Sequence, residues 1–130
     1  MQYLGIPVAA AAAWIFGAIW YGVLGRQWQA ALGLNPDDCK ERKMPLKPMI
    51  VSFLAELVMA GVLFHVLNHA SVVGWQWGLG SGVEIGVGLL AMVTVVNNVF
   101  PGRKKMLTVI DSAHWVGVAA IMGAVLGAFA

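Results

Sequence analysis

Charge is scarce in this chain, and the placement of its basic part governs how the rest is read. Only 11% of the 130 residues are charged, and all eight Lys and Arg fall in two windows, Arg26 to Lys47 and Arg103 to Lys105. A soluble domain carries roughly 25% charged residues, so an ordinary water-facing surface cannot be built. There is one cysteine, Cys39, which excludes an internal disulfide and a CxxC or Cys-rich metal site. The opening MQYLGIP holds no Lys or Arg; a cleavable signal peptide starts basic, so none is expected here. No basic patch interleaved with aromatics is present, so nucleic acid is not an expected partner. A Gly-rich phosphate loop, a GxSxG elbow and a Cys/His nucleophile pair are also missing. No catalytic residue and no cofactor are therefore assigned.

What fills the chain is apolar sequence, 60% hydrophobic by residue, with mean hydropathy +0.80. A bilayer core about 30 Å thick needs about 20 apolar residues as helix. Four stretches qualify: about Tyr3 to Leu24, Pro48 to Asn68, Leu79 to Phe100 and Met106 to Phe129. The expected fold is an all-α membrane protein, one domain over residues 1–130, with four transmembrane helices in one bundle. Pro48 suits a helix start, and Pro101 with Gly102 ends the third span. Tyr3, Trp75 and Trp77 mark one membrane interface; Trp20, Tyr21 and Trp28 mark the other.

The first connection, Gly25 to Lys47, is the one sizeable extramembrane segment. Its Asn35-Pro36-Asp37-Asp38 reads as a helix start, with Asn as cap and acids at the positive end of the dipole. A short amphipathic helix to about Lys43 is expected on the membrane surface, with Trp28, Leu32 and Leu34 holding the stretch before it. The second connection, His69 to Gly78, has no Lys or Arg, and the third has three. Cytoplasmic loops are enriched in these residues, so connections one and three are expected in the cytoplasm and both termini outside. The one-sided bias argues against copies inserting both ways. The expected location is a bacterial inner membrane, with lipids as surroundings.

Small residues recur at four-residue spacing: Gly78, Gly82 and Gly86 on the third span, Gly123 and Gly127 on the fourth, Ala9, Ala13 and Gly17 on the first. Such spacing lets helix backbones approach closely in lipid. Packing inside one bundle is the favoured reading, a homo-oligomer interface the sharper one.

Six ionisable side chains lie within or at the edge of the spans: Glu56, His65, His69, Glu84, Asp111 and His114. A charged group at mid-span costs about 2.5–3.5 kcal/mol on insertion scales, so these residues need partners, protons or water. Counting 1.5 Å per residue puts Glu56 and His114 at similar depth, with Asp111 one turn from His114. An inner polar layer follows: Ser52, Glu56, Asn97, Asn98, Asp111, Ser112 and His114. It suits a proton or ion path, with Glu56, Asp111, His114, Asn97 and Asn98 as candidates. The alternative is interhelical hydrogen bonding, with Asp111 meeting Lys104 or Lys105. An outer layer holds His65, Asn68, His69 and Glu84. His65, His69 and Glu84 form a weak metal candidate, against histidines that simply face water. Trp14 and Trp115 are expected in the core.

Gly17-Ala18-Ile19-Trp20-Tyr21-Gly22 followed by Trp28 and Gly33 resembles the G-x-[LI]-W-Y…W…G signature of a bacterial family of small four-helix membrane proteins, domain of unknown function 1761. Asn98-x-Phe100 with Arg103, Ile110-Asp111-x-x-His114 and Met122 to Gly127 are similar to its closing segment. The resemblance covers nearly the whole chain and implies four spans and no established activity. Where the family often has Pro after the Trp-Tyr pair, Gly22 and Val23 stand here.

The leading expectation is a proton- or cation-linked, permease-like homo-oligomer. The alternative is a non-catalytic accessory subunit of a larger membrane complex. A third reading is an intramembrane enzyme using the His and carboxylate layer.

Overall fold

The computed structural model describes residues 2–35 and 45–130, and its regular elements are all helical. A 3-10 turn at Gln2–Leu4 leads into α1 (Gly5–Val23); α2 (Gly25–Ala31), α3 (Leu46–His69) and α4 (Trp75–Ile85) follow. A π-helical turn, Gly86–Leu90, joins α4 to α5 (Ala91–Val99), and α6 (Lys105–Phe129) ends the chain. Four helices are long and apolar enough to cross a membrane: Gln2–Val23, Leu46–His69, Trp75–Val99 and Lys105–Phe129. In lipid a helix is favoured because it satisfies its own backbone polar groups.

Two spans start earlier than their apolar runs. Pro45 caps α3 in extended conformation, so Pro48 lies inside the first turn rather than at its start. The third span begins at Trp75 instead of Leu79. Its glycine-rich opening is weakly apolar but packs directly on α6. Gly74, at φ 97°, turns the chain into this helix and donates its backbone N–H to the Gly127 carbonyl at 2.9 Å. At the other end of the span Gly102, at φ 72°, closes the helix, with Arg103 N–H bonding the Asn98 carbonyl at 3.0 Å. α1 does not run into an open loop: Leu24 bends the backbone once and α2 follows at once. The short helix expected after Asn35 falls on residues 36–44, outside the described residues.

The bundle is centred on α6. It packs on α1, α3 and the third span, whereas α3 and the third span share no packed seam. Correspondingly, 39% of its most apolar window is buried, against 17–22% for the other three spans. One core joins Ala9, Ala10 and Ala13 of α1 to Ala60, Leu63 and Leu67 of α3 and to Val118, Met122 and Leu126 of α6. The alanines keep α1 and α3 close enough for the larger side chains of α6 to fill the space between them.

The α4–α6 seam is backbone on backbone. A Cβ added at Gly78 would run into the Gly123 carbonyl oxygen, one at Gly123 into that of Gly78, and one at Gly127 into that of Gly74. Gly82 meets the Ala119 carbonyl, and Gly86 sits over Val116 and Ala119. After Gly86 the π turn advances the register by one residue. The next buried positions are Ala91 and Asn98, where continued α-helical spacing would have placed Leu90 and Asn97.

Candidate functional site

A half-open cavity of about 260 Å³ lies between α1, α3 and α6, lined by Trp14, Gly17, Ala18, Tyr21, Met49, Ser52, Glu56, His114 and Trp115. α1 supplies one wall because Trp14, Ala18 and Tyr21 recur at helical spacing and share a face. Gly17 leaves the room for His114: an added Cβ would stand 2.9 Å from its Nε2. The His114 ring stacks on Phe16 (centroids 6.0 Å apart, planes at 4°) and touches Tyr21 and Trp115 at 4.9 and 4.7 Å. It is 6% exposed, and its Nδ1 is buried with no hydrogen-bond partner among the described residues. Glu56 is 3% exposed. It too has no hydrogen-bond or ion-pair partner among the described residues, and it faces the same cavity.

The other polar groups around the cavity are already engaged. Trp14 Nε1–H donates to the Met49 carbonyl at 3.1 Å and to Ser52 Oγ at 3.2 Å, tying α1 to α3. Ser52 Oγ in turn donates to the Met49 carbonyl at 2.9 Å. The Tyr21 hydroxyl donates to Asp111 Oδ1 at 2.6 Å, and Trp28 Nε1–H reaches the same oxygen at 3.2 Å. Trp20 Nε1–H donates to the Ile110 carbonyl at 3.2 Å. These three aromatics therefore do more than mark an interface: they fasten α1 and α2 to α6. Asp111 lies behind Tyr21 rather than on the cavity wall. It does not meet Lys104 or Lys105 as one reading expected; Lys104 Nζ donates instead to the Ala30 carbonyl at 3.3 Å.

The inner polar layer is thus divided. Ser52, Glu56 and His114 share the cavity, and Asp111 joins it through Tyr21. Asn98 is buried on the far side of α6, where its Nδ2 donates to Thr108 Oγ1 at 3.2 Å. Asn97 is exposed and lines a separate outer groove with Gly88, Leu89, Met92, Val93 and Val96. Ser112 Oγ is buried without a partner among the described residues.

The outer layer does not assemble. His65 and His69 are exposed, with rings 5.8 Å apart, and His69 Nδ1 lies 2.9 Å from the His65 carbonyl. Glu84 is exposed on a span that shares no seam with α3. No group of three metal-ligating side chains forms among the described residues, so His65, His69 and Glu84 are not brought together. Trp14 and Trp115 both line the cavity, and Trp115 also packs against the hydrophobic core as expected. Their signal in the sequence was the shared face of Trp14, Ala18 and Tyr21, and the position of Trp115 beside His114.

No curated protein and no solved structure matches this chain. A family model described as "Protein of unknown function (DUF1761)" matches residues 4–127. That span takes in all but the outermost few residues of the four membrane helices, with the Glu56–His114 cavity and the Tyr21–Asp111 contact, and the chain belongs to this family of unknown function.

Proposed function

We propose that this protein is a small proton-linked transporter of a bacterial cytoplasmic membrane, working as a homo-oligomer with both termini outside. One observation carries the reading: Glu56 is buried in a membrane-spanning helix, has no partner among the described residues, and faces a cavity shared with His114. An isolated charge at such a position is expensive. A carboxyl kept there either holds a proton or meets a cation brought from outside, and alternation between the two is the elementary step of proton-coupled transport. His114 supplies a second group able to exchange a proton. The cavity is half-open and small, which favours a path completed at the contact between copies. The one-sided basic loops support the orientation.

The test is proton flux into proteoliposomes carrying a trapped pH dye under an imposed membrane potential. With tetramethylammonium and sodium salts supplied as exchange partners, the wild-type chain should collapse a pH gradient faster than empty vesicles, and Glu56→Gln should abolish the difference while eluting as the same oligomer. Wild-type vesicles no leakier than empty ones would end the proposal.

A further inference from the structure

We infer that the cavity binds a compact organic ammonium ion, with Glu56 as its counter-ion and the rings of Trp14, Tyr21 and Trp115 as its walls. The inference rests on the same cavity as the proposed transport function and names the class of its substrate. Three observations lead to it. First, Glu56 is buried with no partner among the described residues, and the membrane spans contain no Lys or Arg except Lys47 and Lys105 at helix starts. No basic side chain among the described residues pairs with it, so the complementary charge is one a ligand can bring. Second, Trp14, Tyr21 and Trp115 are the largest side chains of the remaining wall, and ring faces attract cations most strongly where water is excluded. Third, the indole and hydroxyl groups of the wall are spent within the protein, which leaves the His114 imidazole as the one polar side chain of the wall besides Glu56 with no hydrogen-bond partner among the described residues. The Trp14 N–H goes to Met49 and Ser52, the Ser52 hydroxyl to Met49, the Tyr21 hydroxyl to Asp111. A sugar would find few polar partners. A bare metal ion would find one carboxylate and one imidazole, where hard cations require six or more oxygens. An alkylated ammonium ion requires neither, only a negative charge and apolar or aromatic surface.

The charge balance gives the coupling. An ammonium ion enters as Glu56 releases its proton to water, so one positive charge replaces another in the cavity. Return of the proton expels the ion.

The experiment uses the full chain in detergent micelles, with tetramethylammonium and tetraethylammonium chloride as probes against sodium chloride at equal ionic strength. The readout is the rate at which a hydrophobic carbodiimide modifies Glu56, followed by peptide mass spectrometry, together with tryptophan fluorescence. A saturable slowing of Glu56 modification by the ammonium salts, absent with sodium, is expected. Trp14→Leu should weaken this protection about tenfold or more. The protection measurement on the unaltered chain needs no variant to fold. Equal modification rates in ammonium and sodium salts would overturn the inference. Proton flux that depends on Glu56 without ammonium protection would overturn it too and leave the transport reading standing. Ammonium protection without flux would uphold the site and remove the transport reading.

Discussion

The Tyr21 hydroxyl lies 2.6 Å from Asp111 Oδ1, and this contact ties the end of the first span to the fourth. Trp28 Nε1–H approaches the same oxygen from α2 at 3.2 Å, so three helices meet at one carboxyl oxygen. Tyr21→Phe removes the shorter bond and leaves the ring in place. Hydrogen bonds within membrane bundles average about 0.6 kcal/mol and reach about 1.7 kcal/mol, so a loss in that range is expected from denaturant titration in micelles. Asp111→Asn keeps an acceptor oxygen and should lose less than Asp111→Leu. Equal stability of Tyr21→Phe and the parent would show that the contact contributes nothing.

The glycine seam gives a paired prediction. At Gly82 a Cβ would sit 2.9 Å from the Ala119 carbonyl carbon and 3.0 Å from Ala120 Cα, backbone atoms that cannot step aside. Gly82→Ala should cost about 1–3 kcal/mol, as overpacking does. At Gly80 nothing lies within 4 Å. There Ala should be neutral or up to about 1 kcal/mol stabilising through helix propensity. Thermal unfolding of the two variants decides it, and the ranking should not invert.

Gly17 is predicted to act through His114. Gly17→Ala pushes against the imidazole, which Phe16, Tyr21 and Trp115 hold on its other faces. A destabilisation of about 1–3 kcal/mol is expected, together with loss of any proton flux. In a His114→Ala background the same substitution should be nearly silent for stability. Additive effects in this double-mutant cycle would separate the two residues.

Asn97 and Asn98 are neighbours with different duties. Asn98→Ala removes the bond to Thr108 and should destabilise by roughly 0.6–1.7 kcal/mol. Asn97→Ala, on the exposed side of the span, should change stability by less than about 0.5 kcal/mol in an isolated chain. A larger loss at Asn97 in membranes than in dilute micelles would reveal a contact made there with another molecule.

The orientation can be read from the one native thiol. Cys39 lies in the basic first connection. A membrane-impermeant maleimide should label it in inverted vesicles and not in intact spheroplasts, while a cysteine placed at Ser71 should show the opposite. Labelling of Cys39 from outside would reverse the proposed topology.

Sequence alone determined what depends on local composition and on counting along one helix. The four apolar runs are long enough to span a bilayer, and a chain in lipid must close its hydrogen bonds within each helix, so span number and type follow from length. The similar depth expected of Glu56 and His114 comes from counting helical rise, and the structure places both on one cavity. Tertiary structure decided what depends on rotation about a helix axis and on choice of neighbour. Depth counting put Asn97, Asn98 and Asp111 in one layer, but it says nothing of the direction each faces. The π turn at Gly86–Leu90 rotates Asn98 onto α6 and Asn97 away from it. Tyr21 and Trp28, which as residue types suit a membrane interface, turn inward because α6 offers them Asp111. The outer histidines and Glu84 stay apart because α3 and the third span pack on other neighbours instead of on each other. Those outcomes rest on which small residues let which backbones touch, a property of pairs of helices that no single segment contains.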